Sequence, residues 1–64
     1  MKKKYLEIFR DKEDVVVQRM DVTTSSERTI EKIEGGVNIN LNHNEFTTRV
    51  REYDQDMPES DEKQ

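Results

Sequence analysis

Apolar residues fall in four clusters along the chain, at positions 5–9, 15–22, 30–41 and 46–53, with polar turn material between them. Segmented secondary structure produces this kind of pattern. Residues 4–10 predict a first strand, because Tyr5, Leu6, Ile8 and Phe9 have the aromatic and branched side chains that suit a pleated surface. Asp11, Lys12, Glu13 and Asp14 form a polar turn. Residues 15–22 predict a second strand, since three consecutive valines disfavour a helix through their stiff χ1 preferences. The two strands together read as a β-hairpin with an unusual feature. Leu6 and Ile8 point one way while Tyr5 and Phe9 point the other, whereas half-buried antiparallel strands normally alternate apolar with polar. The second apolar face therefore needs a cover: a helix, a second protomer in a homodimer, or the biological target.

The hydroxyl-rich run Thr24-Ser25-Ser26-Glu27 fits a capping box, with Thr24 and Glu27 satisfying each other's orphan backbone donors. It predicts a short helix over residues 25–34, ended by Gly35-Gly36 as a left-handed C-cap. Ile30 and Ile33 cannot share one face of a regular strand, which favours the helix. The competing reading joins a strand over 27–34 to the next through a type I′ turn at Gly35-Gly36. Residues 37–42 alternate apolar side chains with Asn38, Asn40 and Asn42, the pattern of a half-exposed strand. His43-Asn44 makes a turn. Phe46, Thr48 and Val50 then alternate with Thr47, Arg49 and Arg51 in a last strand. The expected fold is α+β: two antiparallel hairpins with one short helix between them, in the order ββαββ. The alternative is an all-β five-stranded meander.

Size and charge refine this picture. A chain of 64 residues has room for one core, so residues 1–53 are expected to form a single small binding domain. Residues 1–52 carry ten Lys plus Arg against ten Asp plus Glu. The net charge of -4 therefore comes from the end of the chain, where Asp54, Asp56, Glu59, Asp61 and Glu62 face only Lys63. Residues 54–64, acidic and interrupted by Pro58, are expected to form a disordered tail. The absence of cysteine suits a reducing compartment. The apolar start is broken by Glu7 and Arg10, and no stretch approaches the roughly 20 apolar residues of a membrane span. These features predict a cytoplasmic protein with no membrane contact.

Candidate chemistry is sparse. His43 is the single histidine, and transition-metal sites gather three or four ligands. Asp11, Glu13 and Asp14, or Asp54 and Asp56, lack the glycine of a calcium loop. Gly35-Gly36 lacks the additional glycines and the lysine of a phosphate loop. Ser25 and Ser26 have no base in sequence and read as helix-capping residues. The expectation is a non-catalytic protein with no cofactor and no metal. Binding is expected at Tyr5 and Phe9, at the asparagine row Asn38, Asn40 and Asn42, and at Arg49 and Arg51. In size, lack of cysteine and doubly apolar hairpin the chain resembles the small regulators and inhibitors of bacteriophages and mobile elements. That resemblance implies a protein target whose surface is occluded. The alternative function is nucleic-acid binding, with Lys2, Lys3 and Lys4 and the two arginines on phosphates and the aromatics stacked on bases. The neutral charge of residues 1–52 counts against it.

Overall fold

The two apolar runs that open the chain pair as an antiparallel hairpin of β1 (Lys3–Arg10) and β2 (Val15–Asp21), closed by a four-residue turn in which Asp14 adopts a positive φ of 50°. Ile8 faces Gln18 but Phe9 faces Val16, so Val17 is an extra residue that bulges β2. The structure, a computed structural model, describes residues 2–62. A helix, α1 (Glu27–Asn40), and a third strand, β3 (Phe46–Tyr53), complete its regular elements.

The sheet order is β2-β1-β3, with β1 antiparallel to both neighbours. β2 and β3 therefore run parallel to each other with β1 between them, and α1 is the crossover that joins them. Side chains alternate between the two faces of β1. Leu6 belongs to the face covered by α1, where it packs with Val22 and Ile30 and with the partly buried Met20 and Ile33. Each such aliphatic side chain contributes roughly 1.5–3 kcal/mol when fully buried.

α1 starts two residues later than the capping box suggested. Ser26 is the N-cap, and its hydroxyl accepts a hydrogen bond from the Thr29 backbone N–H at 3.2 Å. The helix also ends later than expected, continuing through Gly35 and Gly36, neither of which has a positive φ. The α+β class holds, but the ββαββ order and the five-stranded meander do not. Residues 37–40, expected to begin a third strand, form the last turn of α1 instead. The physical reason is a competition of periods. Val37 and Leu41 lie four residues apart and continue the helical stripe of Ile30 and Ile33, and both are half-buried. Strand alternation would also have used Ile39, which the helix leaves 83% exposed. The imidazole Nε2 of His43 lies 3.0 Å from the Asn38 carbonyl oxygen, which also accepts the Leu41 cap N–H at 3.4 Å.

Residues 54–62, expected to form a disordered tail, contain no helix or strand and lie against the sheet through defined hydrogen bonds. The Arg19 N–H donates to the Glu59 carbonyl at 2.6 Å, and the Asp61 N–H donates to the Val16 carbonyl at 2.8 Å. Residues 63 and 64 of the expected disordered tail lie outside the described residues.

Candidate functional site

The sheet face opposite α1 is built around a buried carboxylate. Glu7 sits at the centre of β1, opposite Arg19 on β2 and Arg49 on β3, so sheet register alone brings the three charges side by side. Glu7 is fully buried and Arg19 is 7% exposed. Arg19 Nε donates to Glu7 Oε2 at 2.7 Å, Arg49 Nε donates to Glu7 Oε1 at 2.9 Å, and the Tyr53 hydroxyl donates to Glu7 Oε2. A buried carboxylate is costly unless paired and hydrogen-bonded, and three donors meet that requirement. Burial pushes the Glu7 carboxyl up, but the bonds from Tyr53, Arg49 and Arg19 outweigh it and hold the group below the usual carboxylate range. Burial, together with the bond to Glu7, pushes the Tyr53 phenol up.

The tail completes the cluster. With Nε committed to Glu7, Arg19 turns its two remaining nitrogens to residues 58–61. Nη1 donates to Asp61 Oδ1 at 2.8 Å and to the Pro58 carbonyl at 3.1 Å, and Nη2 donates to Asp61 Oδ2 at 2.5 Å. This is a bidentate guanidinium–carboxylate pair. It holds the Asp61 carboxyl below its ordinary range and raises the Arg19 guanidinium further above its own. Glu7 and Asp61 together balance Arg19 and Arg49. The Met57 N–H donates to the Tyr5 hydroxyl at 3.2 Å, Arg10 reaches Glu62 at 3.1 Å, and Lys3 lies 3.7 Å from Asp56.

The residues singled out from sequence separate into distinct environments. Tyr5 is buried, with its ring 5.9 Å from that of Tyr53. Phe9 is half-buried beneath the Arg49 guanidinium, which stands 4.4 Å above its ring centroid. Arg51 is exposed and lies 5.8 Å from the Tyr53 ring. Tyr5, Phe9, Arg49 and Arg51 are thus brought to one face of the sheet. The asparagines do not form a row. Asn38 and Asn40 are in α1, and Asn42 lies in the following turn, where its side-chain oxygen accepts from the Asn44 N–H at 3.1 Å. The Asn38 side chain accepts from the Thr48 hydroxyl at 3.3 Å, tying the helix to β3.

Sequence reasoning missed Glu7, Arg19, Tyr53 and Asp61. A signal was present: Glu7 interrupts an apolar strand at its centre, and arginines stand near the centres of the segments that pair with it. A charge between Leu6 and Ile8 is costly to bury unless opposite charges and hydrogen-bond donors flank it.

The two sheet edges differ. The outer edge of β2 is met by residues 59–61. On β1 the backbone of Lys4 faces β2, since its carbonyl accepts from Val22 N–H and its N–H donates to the Thr23 hydroxyl. By alternation Tyr5, Glu7 and Phe9 face β3, so their partners Arg51, Arg49 and Thr47 face inward. The backbone groups of Thr48, Val50 and Glu52 therefore point away from the sheet, and among the described residues no other segment pairs with them. Val50 is also one of the exposed large apolar side chains, at 39%. It lines a groove of about 240 Å³ with Lys4, Glu27, Ile30, Glu31 and Glu34. No protein-family model, curated protein or solved structure matches this chain.

Proposed function

We propose that this protein is a small non-catalytic binding protein that regulates or inhibits a cellular protein by occluding part of its surface, and that it docks by adding a partner's strand to β3. The observation that carries this reading is the asymmetry of the sheet edges: the tail meets one, and the other is an eight-residue strand with outward backbone groups. Natural sheets shield long edges because they template pairing with other chains, and strand addition is a recurrent mode of protein recognition. Backbone hydrogen bonds supply affinity. Val50 and its groove on the helix side, with Arg49 and Arg51 on the other, supply side-chain selectivity. Nucleic-acid binding is the weaker reading, because the aromatic face carries Glu7 at its centre and acidic residues 54–62 alongside.

The test places a photo-crosslinking side chain at Glu52 of the full chain in the cytoplasm of expressing cells. A discrete protein adduct is expected, and Val50→Pro, which removes an outward N–H and blocks strand addition, should abolish it while leaving the circular dichroism spectrum unchanged. Adducts formed instead from Ile39 on the far side of α1, with Glu52 silent, would move the contact surface to the helix.

A further inference from the structure

We infer that the outer edge of β2, with the Arg19 guanidinium and the Tyr5 hydroxyl beside it, is a recognition site for an extended acidic peptide segment, and that residues 57–61 occupy it as a built-in ligand. This site lies at the edge opposite β3 and does not depend on the strand-addition reading. Arg19 is prepared to bind: its side chain is 3% exposed and Nε is fixed on Glu7, which leaves Nη1 and Nη2 as a fork aimed at the tail. The occupant supplies a carboxylate to that fork from Asp61 and a carbonyl from Pro58. It also makes two backbone hydrogen bonds with Arg19 and Val16 of β2. The buried Tyr5 hydroxyl receives the Met57 N–H. These contacts specify a ligand with a peptide backbone, an extended course and a carboxylate three residues after the carbonyl that bonds Nη1. A free phosphate or a nucleic-acid strand could use the fork but not the two backbone partners.

The tail is attached in a way that permits exchange. Pro58, Glu59 and Asp61 are exposed and Met57 only half-buried, so the segment is held chiefly by polar contacts. Beneath it, Arg49 and Tyr53 bond Glu7, and Glu7 bonds Arg19 Nε, through contacts in which the tail takes no part. An acidic segment of another protein therefore competes with the chain's own tail for a preformed fork. A tethered segment acts at an effective concentration on the order of millimolar, so the intact tail masks the site against weak competitors.

The experiment uses the full chain carrying Asp61→Lys, which sets a like charge beside Arg19 and expels the tail. The probe is a fluorescently labelled peptide with the sequence of residues 56–62. Saturable binding at least about tenfold tighter than to the unmodified chain is expected, with amide NMR shifts at Val16 and Arg19, and lost when the peptide's second aspartate is replaced by asparagine. Should the lysine variant lose its hairpin, Asp61→Asn makes the same comparison with a neutral side chain. Equal, weak binding to a folded variant and the unmodified chain, with no shift at Val16 or Arg19, would overturn the assignment. Tighter binding of a single-stranded oligonucleotide than of the peptide at the same fork would overturn it as well.

Discussion

Arg19 and Glu7 face each other across the hairpin, joined from Nε to Oε2 at 2.7 Å with both side chains closed to solvent. The buried charge cluster on that sheet face is centred on this pair. Glu7 also anchors Arg49 and Tyr53, and Arg19 also anchors the tail. Removing one member of a buried pair costs about 3–5 kcal/mol when the other is left uncompensated, and without the Glu7 charge Arg19 keeps only the half-exposed Asp61. Glu7→Gln keeps the shape but removes the charge that Arg19 and Arg49 share. It is expected to destabilise the fold by about 3 kcal/mol, a large part of what a domain this small possesses. Urea denaturation followed by circular dichroism measures it, since the chain has no tryptophan. A loss below about 0.5 kcal/mol would show that the cluster contributes little net stability.

The same cluster sets the response to pH. Glu7 and Asp61 both titrate below the ordinary carboxylate range when folded. A group with a depressed folded pKa contributes stability that is present above its unfolded pKa, near 4, and is lost as pH falls through the folded value. The melting temperature is therefore expected to hold between about pH 6 and 7, where both carboxylates are ionised, and to fall progressively below about pH 4. Tyr53 has a raised folded pKa, so its contribution is present below about pH 10 and is lost as pH rises above that. Tyr53→Phe removes one donor from Glu7 and should raise the onset pH of acid unfolding. An unchanged acid limb in that variant would mean that the two arginines alone hold the carboxylate.

How far the fold can be read from the sequence depends on how many periods each segment satisfies. The opening hairpin is legible because Val15, Val16 and Val17 fit a strand and fit a helix badly. The segment 37–41 satisfies two periods at once: Val37, Ile39 and Leu41 alternate as in a strand, while Val37 and Leu41 also continue the Ile30 and Ile33 stripe. Only tertiary packing decides between them, and burying Ile30 and Ile33 on Leu6 and Met20 favours the helix. The charge cluster is long-range in the same sense. Glu7, Arg19 and Arg49 meet only once the register of both strand pairs is fixed. Asp61 is less legible still, since an acidic, proline-containing end has the composition of a disordered tail until a buried guanidinium is known to face it.

The tail contact predicts a local rather than a global effect of its removal. Asp61 is exposed enough, at 46% of its side chain, for solvent to screen much of its attraction to Arg19. Asp61→Ala is therefore expected to lower stability by only about 1 kcal/mol, while exposing residues 54–62 to proteolysis. Limited digestion followed by mass spectrometry should show cleavage in this segment about fivefold faster than in the unmodified chain, as expected when local opening costs about 1 kcal/mol less. Equal cleavage rates would assign the hold on the tail to its backbone bonds with β2.

Gly35 and Gly36 provide the most direct test of the helix register. Both sit inside α1 at ordinary negative φ, and a methyl group added at either would meet nothing within 4 Å. Glycine within a helix costs roughly 0.8–1 kcal/mol relative to alanine, and here neither backbone conformation nor close packing requires it. Gly35→Ala and Gly36→Ala are each expected to stabilise the protein by about 0.5–1 kcal/mol, with nearly additive effects, since neither side chain would have a tertiary partner to share. If the pair instead formed a left-handed cap or a type I′ turn, where positive φ is required, the same substitutions would destabilise by a comparable amount. The sign of the change in urea midpoint for the double variant therefore distinguishes a helix that runs through Asn40 from one that stops at Glu34.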